Sequence, residues 1–309
     1  IETFLEMSTR YEIGYVLLNK LLGYIYFNPQ IIFIFTGAFV AFAFGRFIFK
    51  YSDLPWLSVI MFLTLQFFDI SMSGIRQILA VSILTFAYAQ LISRKILKFT
   101  IIVFLATTIH VSSFLFFLLY FLKEKKFNVN FFLILLMITI IAYSFFDIII
   151  LAIIEQIFPI YIKYFTQSSL SFSNEPKLAT ILNILYWGIM FIVAIIIYNK
   201  KFYKISAASE NNIVLSEKEI NFNMQSIMLL LSIIMLVLAL YGTILTRFKY
   251  IFSFVLLAYY PNALFSVKNG ILRAQLIIIS IAVFTTSITV IYLLRPEWQS
   301  TFPYRFFWQ

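Results

Sequence analysis

Long apolar blocks, separated by short clusters of charge, set the pattern of this chain. Eight blocks read as spans of a bilayer whose hydrocarbon is about 30 Å thick. They are Ile31–Phe49, Trp56–Phe68, Ile75–Ile92, Phe131–Ile154, Ala179–Tyr198, Met224–Tyr241, Phe248–Val267 and Gln275–Leu294. A ninth block, Phe99–Leu122, is less simple, because Arg94, Lys95 and Lys98 precede it and Lys123, Lys125 and Lys126 follow it. Both flanks read as cytoplasmic. If the block crosses once, lysine and arginine divide 11 inside to 12 outside, against the positive-inside rule. If it enters and returns as two half-helices, the division becomes 14 to 9. Each half, about 12 residues long, reaches about 18 Å, which puts His110 at the turning point, deep in the protein and toward the outer face. The only local helix breakers are Thr107, Thr108, Ser112 and Ser113, with no Gly or Pro, and a single tilted span is the alternative.

The expected architecture is an all-α polytopic membrane protein with about eight full transmembrane helices and a re-entrant helical pair at 99–122. Residues 1–30 form an outer-face interfacial helix and loop, and residues 31–294 the transmembrane bundle, with an outer loop at 155–178 and a cytoplasmic loop at 199–223. Residues 295–309 form an aromatic outer-face tail containing Trp298, Phe302, Tyr304, Phe306, Phe307 and Trp308. Ser216 and Glu219 have the spacing of a capping box that starts the next helix. Ile1 is not a natural start, so a true N-terminus and at least one further span are expected upstream.

Composition excludes a soluble reading. Hydrophobic residues make up 62% of the 309 and charged residues 12%, where a soluble domain carries about a quarter charged. The net charge of +10 is therefore read through topology rather than as a nucleic-acid surface. The chain has no cysteine, which removes disulfide and thiolate chemistry, and one histidine, which makes a histidine-based metal cluster improbable. No cofactor and no metal are expected. A Gly-rich phosphate loop, a G-x-S-x-G elbow and a D-x-D pair are all absent, which argues against a cytoplasmic nucleotide-dependent enzyme.

Ionisable groups in hydrocarbon cost roughly 2.5 kcal/mol or more each, so they mark where function should be sought. Arg76 opens its helix within Ser73-Gly74-Ile75-Arg76-Gln77, where a cation opposes the positive end of the helix dipole and calls for an anion. Asp69, seven residues earlier, is one candidate partner. Alternatively, free backbone N–H groups after Gly74, the Arg76 guanidinium and the Gln77 amide form a site for phosphate or pyrophosphate. His110 has the chemistry of a general acid or base, or of a hydrogen-bond donor to a sugar hydroxyl or phosphate; a buried neutral histidine at a helix break is the competing reading. Glu12 sits on an interfacial helix whose apolar side includes Ile13, Val16, Leu17, Leu21 and Tyr24. It is either a base for a sugar hydroxyl or the N3 member of a Thr9–Glu12 capping box. Arg247, Lys249 and Tyr250 open another span from the outer side, as a second phosphate clamp or as readers of the lipid surface. Pro261-Asn262 falls inside that span and is expected to kink it. Arg295 and Arg305 read as interfacial anchors or ligands.

Gly74-Ile75-Arg76-Gln77-Ile78-Leu79-Ala80, followed by Ala106-Thr107-Thr108-Ile109-His110-Val111-Ser112-Ser113, resembles the R-Q-x-x-A and F-H-x-S-[AS] segments of EpsG-like, Wzy-class polysaccharide polymerases. Tyr11-Glu12-Ile13-Gly14-Tyr15 is similar to that family's E-x-G-[YF] segment. Thr246-Arg247 to Tyr250 and Pro303-Tyr304-Arg305-Phe306-Phe307 resemble its arginine-bearing outer loop and its end. Ile109 departs from the aromatic common before the histidine, and a G-T-D-containing segment is not found upstream. The resemblance implies an enzyme in the bacterial cytoplasmic membrane that joins oligosaccharide units carried on undecaprenyl pyrophosphate at the outer face. It makes His110, Arg76 and Glu12 the catalytic candidates, and Gln77, Arg247, Tyr250, Arg10 and Arg305 the substrate- or pyrophosphate-binding ones. The partners implied are the lipid-linked oligosaccharide, the bilayer and a chain-length regulator protein, with no nucleic acid. The other classes are a flippase for lipid-linked sugars, which would grip the same pyrophosphate, and an O-antigen ligase or membrane acyltransferase.

Overall fold

The computed structural model describes residues 11–125, 178–206, 217–240 and 243–294, with scattered positions between 134 and 156. They form helices: α1 (Ile13–Ile25), α2 (Gln30–Tyr51), α3 (Pro55–Thr64), α4 (Phe67–Ser73), α5 (Ile75–Ile92), α6 (Ile96–Ile109), a 3-10 helix (Val111–Phe117), α7 (Leu118–Leu122), α8 (Leu178–Ser206), α9 (Glu217–Leu238), a second 3-10 helix (Thr243–Phe248), α10 (Lys249–Ser253), α11 (Leu256–Phe265) and α12 (Gly270–Leu294). No strand occurs among the described residues. In lipid this is the expected economy, since a helix satisfies its own backbone. The chain is an all-α polytopic membrane protein.

Among the described residues, five helices are long and apolar enough to cross a membrane: Gln30–Tyr51, Ile75–Ile92, Thr180–Tyr198, Lys218–Leu238 and Gly270–Leu294. Each answers to one of the eight expected spans. Most of Phe131–Ile154 lies outside the described residues, and the other two expected spans are interrupted. Trp56–Phe68 falls on α3 and α4, which meet at a 50° bend. Gln66 at the bend has a φ of 66°, a left-handed conformation that a non-glycine residue adopts at some cost. Phe248–Val267 is divided between α10 and α11, with the interruption at Phe254–Val255 rather than at Pro261. Pro261 is accommodated inside α11. Asn262 next to it is structural: its Nδ2 donates to the Tyr51 carbonyl at 2.7 Å, and its Oδ1 accepts from the Asp53 N–H at 2.6 Å. For the expected capping box, α9 starts at Glu217 and Ser216 is outside the described residues.

The chain divides into two compact units, one of residues 1–117, 194–212 and 256–309, the other of 118–193 and 213–255. In the first, α5 is the most enclosed span, burying two thirds of its apolar window between neighbours, whereas α12 buries 11% and leaves most of its apolar surface for lipid. Phe44, Phe62 and Phe67 join α2, α3 and α4 ring to ring, and Phe47 and Tyr51 of α2 meet Tyr88 of α5 at 5.9 and 5.2 Å. Such edge-to-face pairs add packing specificity in a core where every surface is apolar. At the end of α5, Arg94 takes the left-handed position and Lys95 N–H returns to the Gln90 carbonyl at 2.9 Å, a Schellman closure that turns the chain toward α6.

The 99–122 block is broken at His110. Its φ of −151° and ψ of 113° end α6 in an extended residue. Phe99 then meets Phe116 and Phe117 with ring centroids 6.0 Å apart, where one continuous helix would hold residues seventeen apart about 25 Å from each other. The chain has reversed. Without Gly or Pro, hydroxyls in the last turn compete for helix carbonyls: Thr107 Oγ1 donates to Val103 O at 2.8 Å and Thr108 Oγ1 to Leu105 O at 2.7 Å, back-bonds of the kind that weaken and bend a helix. In this cysteine-free chain, Phe99→Cys with Phe116→Cys should form an intramolecular disulfide on mild oxidation, read by mass and by a reducible gel shift. A straight single span would leave both thiols free.

Candidate active site

Glu12 is the N-cap of α1, with φ −62° and ψ 136°, and its carboxylate makes no capping bond to its own helix. The capping-box alternative is thereby corrected: α1 begins at Ile13, so Glu12 precedes the helix instead of occupying its third position. The side chain is left to reach across the fold. What brings it within reach is Gly14. A Cβ on Gly14 would lie 2.7 Å from the Thr108 carbonyl oxygen and 2.8 Å from its carbon, with Thr108 Oγ1 closer still. Only a glycine lets α1 close on the last turn of α6, and that turn carries His110.

The two oxygens of Glu12 take different partners. Oε2 accepts a short hydrogen bond from Arg76 Nη1, across 64 residues of sequence. Oε1 lies 3.1 Å from His110 Nδ1 and makes a longer 3.4 Å contact with the Val111 N–H, the first amide after the break. The Arg76 guanidinium also stacks 5.0 Å from the Tyr11 ring centroid and 5.9 Å from that of Tyr15, a pair spaced four residues apart. Asp69 is not its counter-ion: Arg76 pairs with Glu12, and Asp69, buried on α4, accepts from the Tyr292 hydroxyl at 2.7 Å.

Burial pushes the Glu12 carboxyl upward, but the hydrogen bond and charge of His110 and the charge of Arg76 outweigh it, lowering the pKa from 4.5 to about 2. A carboxylate so weakly basic is a poor proton acceptor at neutral pH. It is a good anchor. Because an ionised carboxylate only accepts, His110 carries a proton on Nδ1 in both its charged and its neutral form, and in the neutral form the lone pair is on Nε2. Among the described residues Nε2 has no hydrogen-bond partner, and the same is true of the guanidinium nitrogens of Arg76 other than Nη1. The side chains of His110 and Arg76 are 19% and 32% exposed, so neither is sealed in the core. The arrangement can accept a proton at one point and bind an anion at another. Among the described residues no three His, Cys, Asp or Glu side chains stand close enough to hold a metal ion.

Of the remaining candidates, Gln77 follows Arg76 on the buried side of α5, and Arg247 and Tyr250 belong to the second unit, where Arg247 is exposed and Tyr250 buried. Arg10 and Arg305 lie outside the described residues. Tyr11 and Tyr15 as stacking partners of Arg76 and Gly14 as the point of closest approach were not singled out by residue type. The signal was present in the segment Tyr11-Glu12-Ile13-Gly14-Tyr15.

Two outcomes are expected. Gly14→Ala forces the α1–α6 contact apart and lowers stability by about 1–3 kcal/mol, as overpacking does, read as a lower thermal midpoint in detergent. Glu12 has a depressed folded-state pKa, so the stability it contributes is fully present above about pH 4.5 and is lost as pH falls toward 2. The difference in thermal midpoint between the parent and Glu12→Gln should shrink as pH falls from about 4.5 toward 2.

No curated protein and no solved structure matches the chain. The EpsG family model matches residues 1–306. Nearly the full length is covered, including the segments that contain Glu12, Arg76 and His110, and on that match the chain is a member of the EpsG family.

Proposed function

We propose that this chain polymerises oligosaccharide repeat units carried on undecaprenyl pyrophosphate, at the outer face of the bacterial cytoplasmic membrane, with undecaprenyl pyrophosphate as the leaving group. Membership of the EpsG family suggests an exopolysaccharide polymerase-type function, and the chemistry of the Glu12 site supports the finer reading. In the reaction a hydroxyl of one lipid-linked unit attacks the anomeric carbon of the growing chain. The new C–O bond forms as the bond to pyrophosphate breaks, and the hydroxyl proton passes to His110 Nε2. Arg76 receives the charge that develops on the departing pyrophosphate through the guanidinium N–H groups that Glu12 does not use. Glu12 holds the imidazole tautomer and aims the guanidinium; it positions rather than reacts, as the carboxylate behind a catalytic histidine does. Gln77 is assigned to orienting the donor beside Arg76.

The observation that carries this reading is one carboxylate bridging a guanidinium and an imidazole, each with nitrogens that meet no partner among the described residues. The test is polymer length on a gel from cells that lack their own polymerase, complemented with the gene or its variants at equal membrane abundance. Arg76→Ala and His110→Ala should each lower polymerisation by about 10²-fold or more, the usual loss of an electrostatic stabiliser or a general base, collapsing the ladder to single units. Arg76→Lys should also fail to restore it, since the ammonium lacks the planar fork that serves Glu12 and an oxyanion together. Full ladders from both alanine variants would reject the site. A parent that only moves lipid-linked units across the membrane would favour transport.

A further inference from the structure

The second unit buries a lysine amine that meets no carboxylate among the described residues. Lys249, the first residue of α10, is 3% exposed. Its Nζ lies 4.9 Å from the ring centroid of Trp187 on α8 and 4.9 Å from that of Tyr250. Among the described residues its ammonium makes no hydrogen bond and no ion pair. Ring faces stabilise a cation but accept none of its three N–H donors in the way oxygen does. One turn on, and so on the same face of α10, the Ser253 hydroxyl is fully buried and also without a hydrogen-bond partner. Two orphaned donors on one face of a five-residue helix are an unfinished polar site, because buried polar groups in native proteins are normally satisfied.

We propose that Lys249 and Ser253 bind the phosphate group of an anionic lipid. An oxyanion with several acceptor oxygens answers the ammonium and the hydroxyl together. A lipid source is favoured by placement: Trp187, whose ring faces the ammonium, lies within the spanning segment Thr180–Tyr198. An anion reaching that position is one attached to an apolar body. The lipid phosphate comes either from a polyprenyl carrier, a choice that rests on the proposed function, or from a phospholipid headgroup, which does not.

The test is binding rather than polymer formation, so that it stands apart from the chemistry at His110. The full chain, purified and washed in a phosphate-free maltoside detergent, is titrated separately with undecaprenyl phosphate, phosphatidylglycerol and inorganic phosphate, and bound equivalents are counted by native mass spectrometry. The parent should hold one equivalent of lipid phosphate that Lys249→Met weakens at least tenfold. Ser253→Ala, which removes one buried hydroxyl and leaves the helix intact, should weaken it several-fold. Dependence on Lys249 for undecaprenyl phosphate alone assigns the carrier, and equal dependence for phosphatidylglycerol assigns the headgroup. Inorganic phosphate binding with the same dependence would overturn the lipid assignment, and parent-like binding in both variants would overturn the site. Lipid-phosphate binding that depends on Lys249 stands whether or not Arg76→Ala and His110→Ala collapse the polymer ladder, so failure of one reading is seen separately from failure of the other.

Discussion

A single carboxylate, shared between a guanidinium and an imidazole, is the interaction on which the candidate site depends. Glu12 offers Oε2 to Arg76 and Oε1 to His110, and the three residues come from α1, α5 and the end of α6. Remove the carboxylate and Arg76, at the positive end of its own helix, loses the one ion-pair partner it has among the described residues, while His110 loses the group that fixes which nitrogen holds the proton. A half-buried ion pair of this kind contributes little net stability, because desolvation offsets most of the attraction. Its value is geometric. It sets two chemically different groups a fixed distance apart.

The fold around it explains how the three residues are brought together. One glycine, Gly14, permits two helices to approach until it meets the backbone and side chain of Thr108, and one extended residue, His110, ends a helix whose last turn carries two threonine hydroxyls bonded back to its own carbonyls. Gly74 does a related service at the start of α5, since a Cβ there would press within 2.6 Å of the Ile70 side chain. Cavity-lining irregular backbone inside a helical membrane protein is tolerated only where other groups satisfy it. Here the Glu12 carboxylate helps to do so through its contact with the Val111 amide.

Much of the fold was legible because hydrocarbon imposes length and apolarity on any span. Five spans were readable from hydropathy, and the reversal at His110 was readable from basic residues on both flanks of 99–122. Two interruptions were not. Gln66 adopts a left-handed conformation with nothing in its residue type to announce it, and the break at Phe254–Val255 lies in unbroken apolar sequence, away from the proline that drew attention. In the site, Arg76, His110 and Glu12 were each visible as charge in an apolar setting, but their connection was not. The nearest carboxylate in sequence to Arg76 is Asp69, and the one it meets is 64 residues away. Local spacing also suggested a capping box for Glu12, a pattern that tertiary contact overrides.

The central claim is that Glu12 holds His110 as the Nδ1–H tautomer with Nε2 free to accept a proton. His110 is the sole histidine of the chain, so a nitrogen-15 imidazole spectrum of the protein, prepared without a histidine tag, is assigned without ambiguity. In the neutral form, two-bond couplings should identify a protonated Nδ1 and an unprotonated Nε2, and Glu12→Gln should shift the ring toward the Nε2–H tautomer that free imidazole side chains favour in water. An Nε2–H ring in the parent, or the same tautomer balance with and without the Glu12 carboxylate, would contradict the account.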